Sequence, residues 1–310
     1  MAAIPSIKLN TGAQIPAIGL GSASDFTAEG NAQAEKWFLT AFQAGYRHFD
    51  TAFMYGTEKS VGAAVRASGV PREEVFVTTK LPPHHPKYVA RSFDESLRNL
   101  GLDYVDLYLM HWPLTVEYPT GFDAPSTFQE ILSTYKSVDT PTFNETWAEL
   151  EGLHASGRAR AIGVSNFSIK TLEELFKTAK IVPAVNQVEI HPYLAQTELL
   201  EYCRKKGIVV TAYSPTGHDK VREDPTIVAL AEKYKVKPTQ IILAWHLARG
   251  VVAVPKSANS DRQKENITLP TLSAEDVTSI TALDRNMRIW GPQASPDGTM
   301  FGWTVERMGW

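Results

Sequence analysis

The sequence predicts an α/β fold of the (β/α)8 TIM-barrel class, with one domain that spans residues 1–310. Short apolar, β-branched runs alternate along the chain with longer segments of helical spacing. The runs are apolar on both faces, which is typical of buried parallel strands. Eight such strand-then-helix units fit into about 250 residues, the usual size of this barrel. A doubly wound parallel sheet is the competing architecture.

Each predicted element is bounded by its apolar spacing and by residues that end helices. Gly45, Gly101 and Gly207 follow last helical turns, and Pro238 stands where a first helical residue belongs. The predicted strands, in chain order, are Ala17–Gly21, His48–Ala52, Val75–Lys80, Tyr104–Trp112, Arg160–Asn166, Ala184–Ile190, Val209–Pro215 and Val251–Lys256. The predicted helices are Ala32–Ala44, Lys59–Ser68, Lys87–Leu100, Thr142–Ser156, Ser168–Lys180, Thr197–Lys206, Pro238–Arg249 and Asp261–Asn266.

Three segments fall outside the repeat. Residues 6–18 read as a hairpin around the turn Asn10–Gly12, and such a hairpin can plug one end of the barrel. Residues 113–141 form a long polar loop after the fourth strand, and loops of that length are usually functional or mobile. Residues 285–310 are predicted to be an aromatic loop over the barrel mouth, with an ordinary packed tail as the alternative.

The composition limits the classes of binding partner and the cellular compartment that we expect. The apolar fraction of 43% supports a large core, and a net charge of −3 gives no reason to expect a nucleic-acid or anionic-membrane partner. The single cysteine, Cys203, cannot form an intramolecular disulfide, which fits a reducing compartment. No run resembles a signal peptide or a membrane span, so a cytoplasmic location is expected. No cysteine pair, H-E-x-x-H motif or clustered carboxylate site appears, so no metal is expected.

Polar residues close the apolar strands at the end where barrel enzymes carry their active sites. Asp50 and Lys80 end the second and third strands, Tyr55 follows the second, and His111 ends the fourth. Taken one at a time, these residues have ordinary structural explanations. Asp50 and Lys80 could form a salt bridge at the barrel end, Tyr55 could be a packed tyrosine, and His111 could be a histidine whose hydrogen bonds are satisfied within the protein. Together they make a proton donor: an ammonium lowers the pKa of a phenol, a carboxylate keeps the lysine charged, and a neutral imidazole orients a carbonyl oxygen.

Other polar residues stand at or near the later strand ends. Ser165, Asn166, Gln187, Tyr213, Ser214, Lys256 and Ser257 belong to this group, with Glu189 and His191 on and after the sixth strand. His84 and His85 are interpreted as surface residues of the loop after the third strand. Gly19-Leu20-Gly21 begins G-x-G, but Ser24 stands where the third glycine belongs, so no Rossmann fingerprint competes.

Six ordered motifs resemble those of the aldo-keto reductases. The three longer ones are Gly45–Ala52 with Tyr55, Glu58 and Gly62; Ala161–Phe167; and Val254–Arg262 with Glu265 and Asn266. The three shorter ones are Leu109–Pro113, Asn186–Glu189 and Tyr213–Pro215. The resemblance runs from about Leu9 to Asn266. It implies a (β/α)8 barrel that reduces a carbonyl compound to an alcohol with NADPH.

The resemblance also implies roles for individual residues. Tyr55 would be the general acid, supported by Lys80 and Asp50, and His111 would orient the substrate carbonyl. Ser165, Asn166 and Gln187 would hold the nicotinamide carboxamide, and Tyr213 would stack on the ring, with Ser214 as a further cofactor-binding residue. Lys256, Ser257, Asn259 and Arg262 would grip the 2′-phosphate, and Glu265 and Asn266 would lie near the adenine. Two cations suit a phosphate, which favours NADPH over NADH.

The substrate and the oligomeric state stay open at this point. Met54 and Trp112 are predicted to line the substrate site beside His111, with Phe53 completing an apolar rim. The fourth loop and the tail resemble those of fungal sugar-aldehyde and glyceraldehyde reductases, so small aldehydes, aldoses, glyceraldehyde, uronates and keto-esters are all candidates. A monomer and a homodimer are equally compatible with the sequence.

Two other functions compete with the reductase. One is a non-catalytic NADPH-binding regulatory subunit of the same fold. The other is a barrel lyase or isomerase that uses Lys80 as a Schiff-base amine.

Overall fold

The computed structural model describes residues 4–23, 28–123, 134–291 and 297–310. Eight parallel strands form one sheet within these residues. A parallel bridge between Ile18 and Ala253 joins the two edges of the sheet, and the Gly19 amide donates to the Ala253 carbonyl at 2.9 Å. The sheet is therefore a closed barrel, and the predicted (β/α)8 fold is confirmed.

The strands differ from the predicted ones mainly in length. In chain order they are β1 Ser6–Lys8, β2 Gln14–Pro16, β3 Leu20–Gly21, β4 His48–Asp50, β5 Phe76–Leu81, β6 Leu107–Met110, β7 Thr115–Glu117, β8 Lys136–Val138, β9 Ile162–Ser165, β10 Val185–Glu189, β11 Val209–Tyr213 and β12 Val252–Ala253. The barrel order is β3, β4, β5, β6, β9, β10, β11, β12. The first and eighth barrel strands are shorter than predicted because they meet through a single bridge rather than a full ladder.

Helices surround the barrel. They are α1 Ala28–Ala44, α2 Glu58–Ala67, α3 Val89–Leu100, α4 Phe143–Ala155, α5 Ile169–Leu175, α6 Thr197–Lys205, α7 His218–Arg222, α8 Pro225–Tyr234, α9 Pro238–Ala248, α10 Ser260–Asn266, α11 Ala274–Thr281 and α12 Val305–Met308. None of these described helices is long and apolar enough to cross a bilayer.

The sequence prediction missed α7, α8, α11 and α12, although α8 and α11 begin at recognisable caps. The Asp224 side chain accepts from the Thr226 amide, and the Ser273 side chain accepts from the Asp276 amide. Pro225 occupies the first turn of α8, where its missing N–H costs nothing. Both helices follow an Asp or Ser cap, a signal that the spacing of apolar residues alone does not show.

The N-terminal hairpin closes the end of the barrel opposite the strand C-termini. β1 pairs with β2 in antiparallel register, as predicted. Leu9 and Ile15 are buried with Phe76 and Val185, which are the first residues of β5 and β10. Asn10 Nδ2 donates to the carbonyls of residues 182 and 183 at 3.2 Å. The hairpin therefore plugs the N-terminal end of the barrel and leaves the other end for a site.

The segment from 113 to 141 is not simply a polar loop. β7 and β8 pair within it as an antiparallel hairpin, and residues 124–133 lie outside the described part of the chain. The C-terminal segment packs on this hairpin. Gly302 has a φ of +83°, and a Cβ there would lie 2.8 Å from the Ser137 Cβ, so both conformation and space require glycine. Residues 297–310 are thereby fixed beside the barrel mouth.

The interpretation of His84 and His85 as surface residues is wrong. Their exposed fractions are 4% and 0%. The His85 ring stacks on Phe122 with centroids 3.9 Å apart, and its two nitrogens contact Ser92 Oγ and the Phe122 carbonyl, both at 2.8 Å. Tyr118 packs on His84 at 5.1 Å. The long segment after β6 folds back over this histidine pair, a tertiary contact that local sequence does not show.

Candidate active site

A cavity of about 1800 Å³ opens at the C-terminal ends of the barrel strands. Its walls come from the loops after most of these strands and from the C-terminal segment. The predicted site residues that line it are Asp50, Met54, Tyr55, His111, Trp112, Asn166, Gln187, Tyr213, Ser214, Lys256, Ser257, Asn259, Arg262, Glu265 and Asn266. Lys80 and Ser165 do not line it and lie directly behind residues that do. The structure therefore brings all of the predicted site residues to one end of the barrel.

A buried ion pair forms the floor of the cavity. Lys80 Nζ lies 2.6 Å from Asp50 Oδ1 and donates to the Thr51 carbonyl at 2.9 Å. The lysine is fully buried and the aspartate is 3% exposed. β4 and β5 are adjacent, with Asp50 paired to Thr78, and this register brings the two side chains together. Because each group is the charged partner of the other, removal of one would leave the other buried with neutral hydrogen-bond partners alone.

Tyr55 stands above this pair on a single turn. The 3-10 turn Phe53–Tyr55 ends at Gly56, which has a φ of +67°. The Tyr55 hydroxyl lies 3.4 Å from His111 Nε2, and Lys80 Nζ lies 5.1 Å from the centre of the phenol ring. The hydroxyl, the imidazole and the ammonium are therefore grouped where a carbonyl oxygen would enter.

The pKa of Tyr55 is raised above 10.0, not lowered as the sequence reasoning expected. Burial is the largest cause, and the charge of Lys80 opposes it without overcoming it. Low-dielectric surroundings disfavour the phenolate more than the neighbouring ammonium favours it. Tyr55 consequently holds its proton at neutral pH, as a proton donor must.

His111 is neutral in the same pH range. Burial, followed by repulsion from Lys80, holds the pKa of His111 well below 6.5. A neutral ring can hold a carbonyl oxygen through one N–H without adding a second full charge beside Lys80. This agrees with the neutral imidazole expected from the sequence.

A chain of amides and hydroxyls connects the predicted cofactor residues to the catalytic floor. Gln187 Nε2 donates to Asp50 Oδ2 at 2.7 Å, and Ser165 Oγ donates to the Gln187 carbonyl at 2.8 Å. Asn166 Nδ2 donates to the His111 carbonyl at 3.0 Å, and its Oδ1 accepts from the Tyr213 hydroxyl at 2.8 Å. These bonds fix the orientation of two side-chain amides at the cavity wall, which suits the recognition of a carboxamide.

The loop after β12 supplies the cationic end of the cavity. Lys256 and Arg262 both line it, and Lys256 Nζ lies 5.8 Å from the Trp37 ring centre. Asn259 also lines the cavity, and its Oδ1 accepts from the amides of residues 261 and 262 and so caps α10. That cap fixes the start of the helix that carries Arg262. Two cations at one end and two oriented amides at the other fit a phosphorylated nicotinamide dinucleotide.

Aromatic residues dominate the wall near Tyr55 and His111. Trp112 packs against Phe301 with ring centroids 5.5 Å apart, and Phe301 packs against Tyr135 at the same distance. Phe53, which the sequence placed in this rim, does not line the cavity. It packs on His85 at 4.8 Å instead. The turn Phe53–Tyr55 directs Met54 and Tyr55 to the cavity and Phe53 into the protein.

The sequence prediction missed several residues of the wall. Tyr135, Trp290 and Met300 line the cavity, as do Thr216, His218, Asp219 and Arg222 after β11. The sequence marks Trp290 only as part of an aromatic tail, and Tyr135 is one of four aromatic residues in a segment interpreted as polar. Neither has a local pattern that marks it as a wall residue, because Tyr135 reaches the cavity through the hairpin of β7 and β8, and Trp290 reaches it through backbone hydrogen bonds to the distant Glu189.

Lys80 is poorly placed to act as a Schiff-base amine. Its nitrogen is fully buried, donates to Asp50 and Thr51, and does not line the cavity. An amine nucleophile must reach the carbonyl carbon of its substrate. The geometry favours a supporting role for this residue instead. Among the described residues, no group of three or more His, Cys, Asp or Glu side chains is placed to hold a metal ion.

Comparison with known proteins gives concordant results. The model of the aldo/keto reductase family matches residues 17–285. The chain is 45% identical to the glycerol 2-dehydrogenase (NADP(+)) of Saccharomyces cerevisiae, over 94% of this chain and 95% of that protein. It is 41% identical to the aldehyde reductase YPR1 of the same yeast, over 90% and 91%. A crystal structure of a Bombyx mori aldo-keto reductase in complex with NADP is similar with a TM-score of 0.84 at 35% identity, covering 97% of this chain and 100% of that one.

Proposed function

Because this chain belongs to the aldo/keto reductase family, we propose that Tyr55 is the proton donor in its reaction, supported by Lys80, Asp50 and His111. The protein is an NADP(H)-dependent oxidoreductase that reduces aldehydes or ketones. The observation that carries the assignment is the Tyr55 hydroxyl, which lies 3.4 Å from His111 Nε2 above the buried Lys80–Asp50 pair.

The residues act on the carbonyl oxygen. NADPH, when bound, supplies the hydride that adds to the carbonyl carbon. As negative charge develops on the oxygen, the Tyr55 hydroxyl donates its proton to it. The neutral His111 ring holds the same oxygen through a hydrogen bond and so fixes the carbonyl relative to Tyr55. The charge of Lys80 stabilises the phenolate that remains, and Asp50 keeps that charge in place.

The cofactor would lie along the cavity from the amides to the cations. Asn166 and Gln187 would hold the carboxamide, with Ser165 fixing their backbone from behind, and Tyr213 with Ser214 would cover the ring. Lys256, Ser257 and Arg262 would bind the 2′-phosphate. Asn259 would position Arg262 by capping the helix that carries it. Glu265 and Asn266 would border the adenine. A guanidinium can bind phosphate through two N–H groups, so NADPH should be preferred to NADH.

Among substrates, an uncharged small aldehyde fits best. The lysines and arginines that line the cavity within the described residues are Arg222, Lys237, Lys256 and Arg262, and all follow β11 or β12. Met54, Trp112, Tyr135 and Phe301 form the wall near Tyr55 instead. We therefore rank glyceraldehyde and other sugar aldehydes ahead of uronates, whose carboxylate would meet this apolar wall. The names of the two yeast relatives agree with an uncharged small aldehyde only in part: a glycerol 2-dehydrogenase interconverts an uncharged triol and its C2 ketone, and an aldehyde reductase acts on an aldehyde.

The test is the absorbance of the reduced nicotinamide during incubation with a panel of aldehydes, ketones and uronates. We expect NADPH to be consumed with glyceraldehyde or a sugar aldehyde, and NADH to be consumed much more slowly. A faster reaction with a uronate than with the matching uncharged aldose would contradict the ranking. Tight NADPH binding without consumption on any substrate would instead support the non-catalytic subunit.

A further inference from the structure

A buried carboxyl group in β10 holds a distant segment of the chain. Glu189 is 0% exposed and lies near the C-terminal end of the strand. Its Oε1 accepts from the Ile289 amide at 2.6 Å and its Oε2 accepts from the Trp290 amide at 2.9 Å. His191 Nε2 lies 2.9 Å from Oε1. Both oxygens are therefore engaged, and two of the three partners are backbone groups about a hundred residues away.

The segment that Glu189 holds carries a side chain into the cavity. Trp290 lines the cavity and is 45% exposed. Its indole Nε1 donates to Ser214 Oγ at 3.0 Å. Ser214 follows β11 directly and has a φ of +46°. The Trp290 ring thus extends from the C-terminal segment to the loop after β11.

Other backbone hydrogen bonds that hold this segment are made by residues before Ile289. The amides of Arg285 and Met287 donate to the Tyr193 carbonyl at 3.1 and 2.9 Å. Residues 292–296 lie outside the described part of the chain. Among the described contacts, those of Glu189 are the ones that fix the backbone amide of Trp290 itself. Loss of a buried acceptor that serves two backbone donors would leave both unpaired, so the local backbone would have to move.

We propose that Glu189 is a positioning residue that acts through Trp290: by fixing the backbone at 289–290, it holds the indole against Ser214 and so limits the size of the carbonyl compound that can reach Tyr55. The kinetic part of this inference rests on the proposed function. The structural part, the dependence of the indole contact on Glu189, does not.

The first test is independent of turnover. Indole ¹⁵N labelling gives one N–H signal for each of the seven tryptophans, and Trp290→Phe identifies the signal of Trp290. In Glu189→Gln an amide NH₂ must face one of the backbone donors. We expect the Trp290 indole signal to shift and its hydrogen exchange to accelerate, with the other six signals much less affected.

A second buried carboxyl group provides the control. Asp276 is 7% exposed and binds Lys233 and Ser273, and it does not line the cavity. Asp276→Asn should lower the melting temperature without moving the Trp290 signal. If Glu189→Gln does not fold, Glu189→Asp, which retracts the carboxyl group by one methylene, is measured in its place. An unchanged Trp290 signal in the folded Glu189 variant would overturn the proposal.

The second test asks whether Glu189 acts through Trp290. The readout is the ratio of kcat/KM for a bulky aromatic ketone to that for a small aldehyde. Trp290→Ala should raise this ratio about tenfold or more, as expected for space opened in an apolar pocket. Glu189→Gln should raise it in the same direction, and the double variant should equal Trp290→Ala alone.

The outcomes separate the two claims. One outcome is that Glu189→Gln changes the ratio of kcat/KM values by the same factor in the wild-type protein and in Trp290→Ala. In that case Glu189 acts by a route other than Trp290, and the proposal fails. If the wild-type protein turns over no carbonyl compound, the proposed function fails, and the indole signals still decide whether Glu189 positions Trp290.

Discussion

The floor and the wall of the cavity are built in different ways. The floor, formed by Asp50, Tyr55, Lys80 and His111, stands on or just after three adjacent barrel strands. The wall is formed by side chains such as Tyr135, Trp290 and Phe301, which come from the hairpin and the C-terminal segment outside the barrel repeat. We infer that the barrel strands fix the groups that react, whereas the added segments decide which substrates reach them. Changes in the floor should therefore alter kcat, and changes in the wall should alter substrate preference.

The largest effect is expected from the buried ion pair. Lys80→Met leaves Asp50 buried without its cation, which should cost about 3–5 kcal/mol of stability. It also removes the charge that stabilises the Tyr55 phenolate, so kcat should fall about a hundredfold or more. Thermal unfolding and steady-state kinetics measure the two effects.

A second ion pair provides the control for stability. Arg72 and Asp106 are 2.7 Å apart and partly buried, and neither lines the cavity. Arg72→Met should lower the melting temperature while kcat at 25 °C stays near the wild-type value. A Lys80→Met protein with wild-type kcat would show that the floor does not act as a unit.

The next effect concerns the cationic end of the cavity. Lys256→Ala and Arg262→Ala should each raise KM for NADPH about tenfold, because each removes a charged partner of the 2′-phosphate. KM for NADH should change little, since NADH lacks that phosphate. Lys264→Ala serves as the control, because Lys264 is exposed on the same helix and does not line the cavity. Equal losses with both cofactors would place the 2′-phosphate elsewhere.

The wall should give a smaller and more selective effect. Phe301→Ala removes the ring that contacts both Trp112 and Tyr135. We expect KM for an aromatic aldehyde to rise about tenfold with much less change in kcat. Val305→Ala, an exposed change on the same segment outside the cavity lining, should leave both unchanged. A fall in kcat with constant KM would mean that Phe301 supports the floor rather than the wall.

These differences explain how much the sequence could predict. Asp50, Lys80 and His111 stand at the ends of apolar strands. The alternation of strands and helices along the sequence predicts a barrel, and the barrel topology is enough to bring these three residues together. Tyr135 reaches the cavity because the segment after β6 folds into a hairpin, and Trp290 reaches it because the backbone at residues 289 and 290 is hydrogen-bonded to Glu189, about a hundred residues earlier. The buried His84 and His85 were misplaced for the same reason. Contacts between segments that lie outside the repeat leave no periodic signal in the sequence.

Acid pH should test the burial of four histidines, of which His84 and His85 lie under the segment after β6. Burial lowers the pKa of His84 to about 3 and that of His85 to about 4, and those of His48 and His246 to about 4 and about 3. Below the ordinary histidine pKa of 6.5 the unfolded chain takes up protons that the folded chain does not, so stability rises with pH in this range. The melting temperature should therefore fall progressively as the pH is lowered from 6.5 to about 4. A melting temperature that is constant across this interval would mean that these rings titrate normally in the folded protein.

The most direct test of the account is hydride transfer by Tyr55→Phe. This substitution removes the hydroxyl and keeps the ring above Lys80. Single-turnover oxidation of bound NADPH should slow about a hundredfold or more, as expected when a general acid is lost, while NADPH binding measured by fluorescence stays close to wild type. A near wild-type rate of hydride transfer, with binding retained, would contradict Tyr55 as the proton donor.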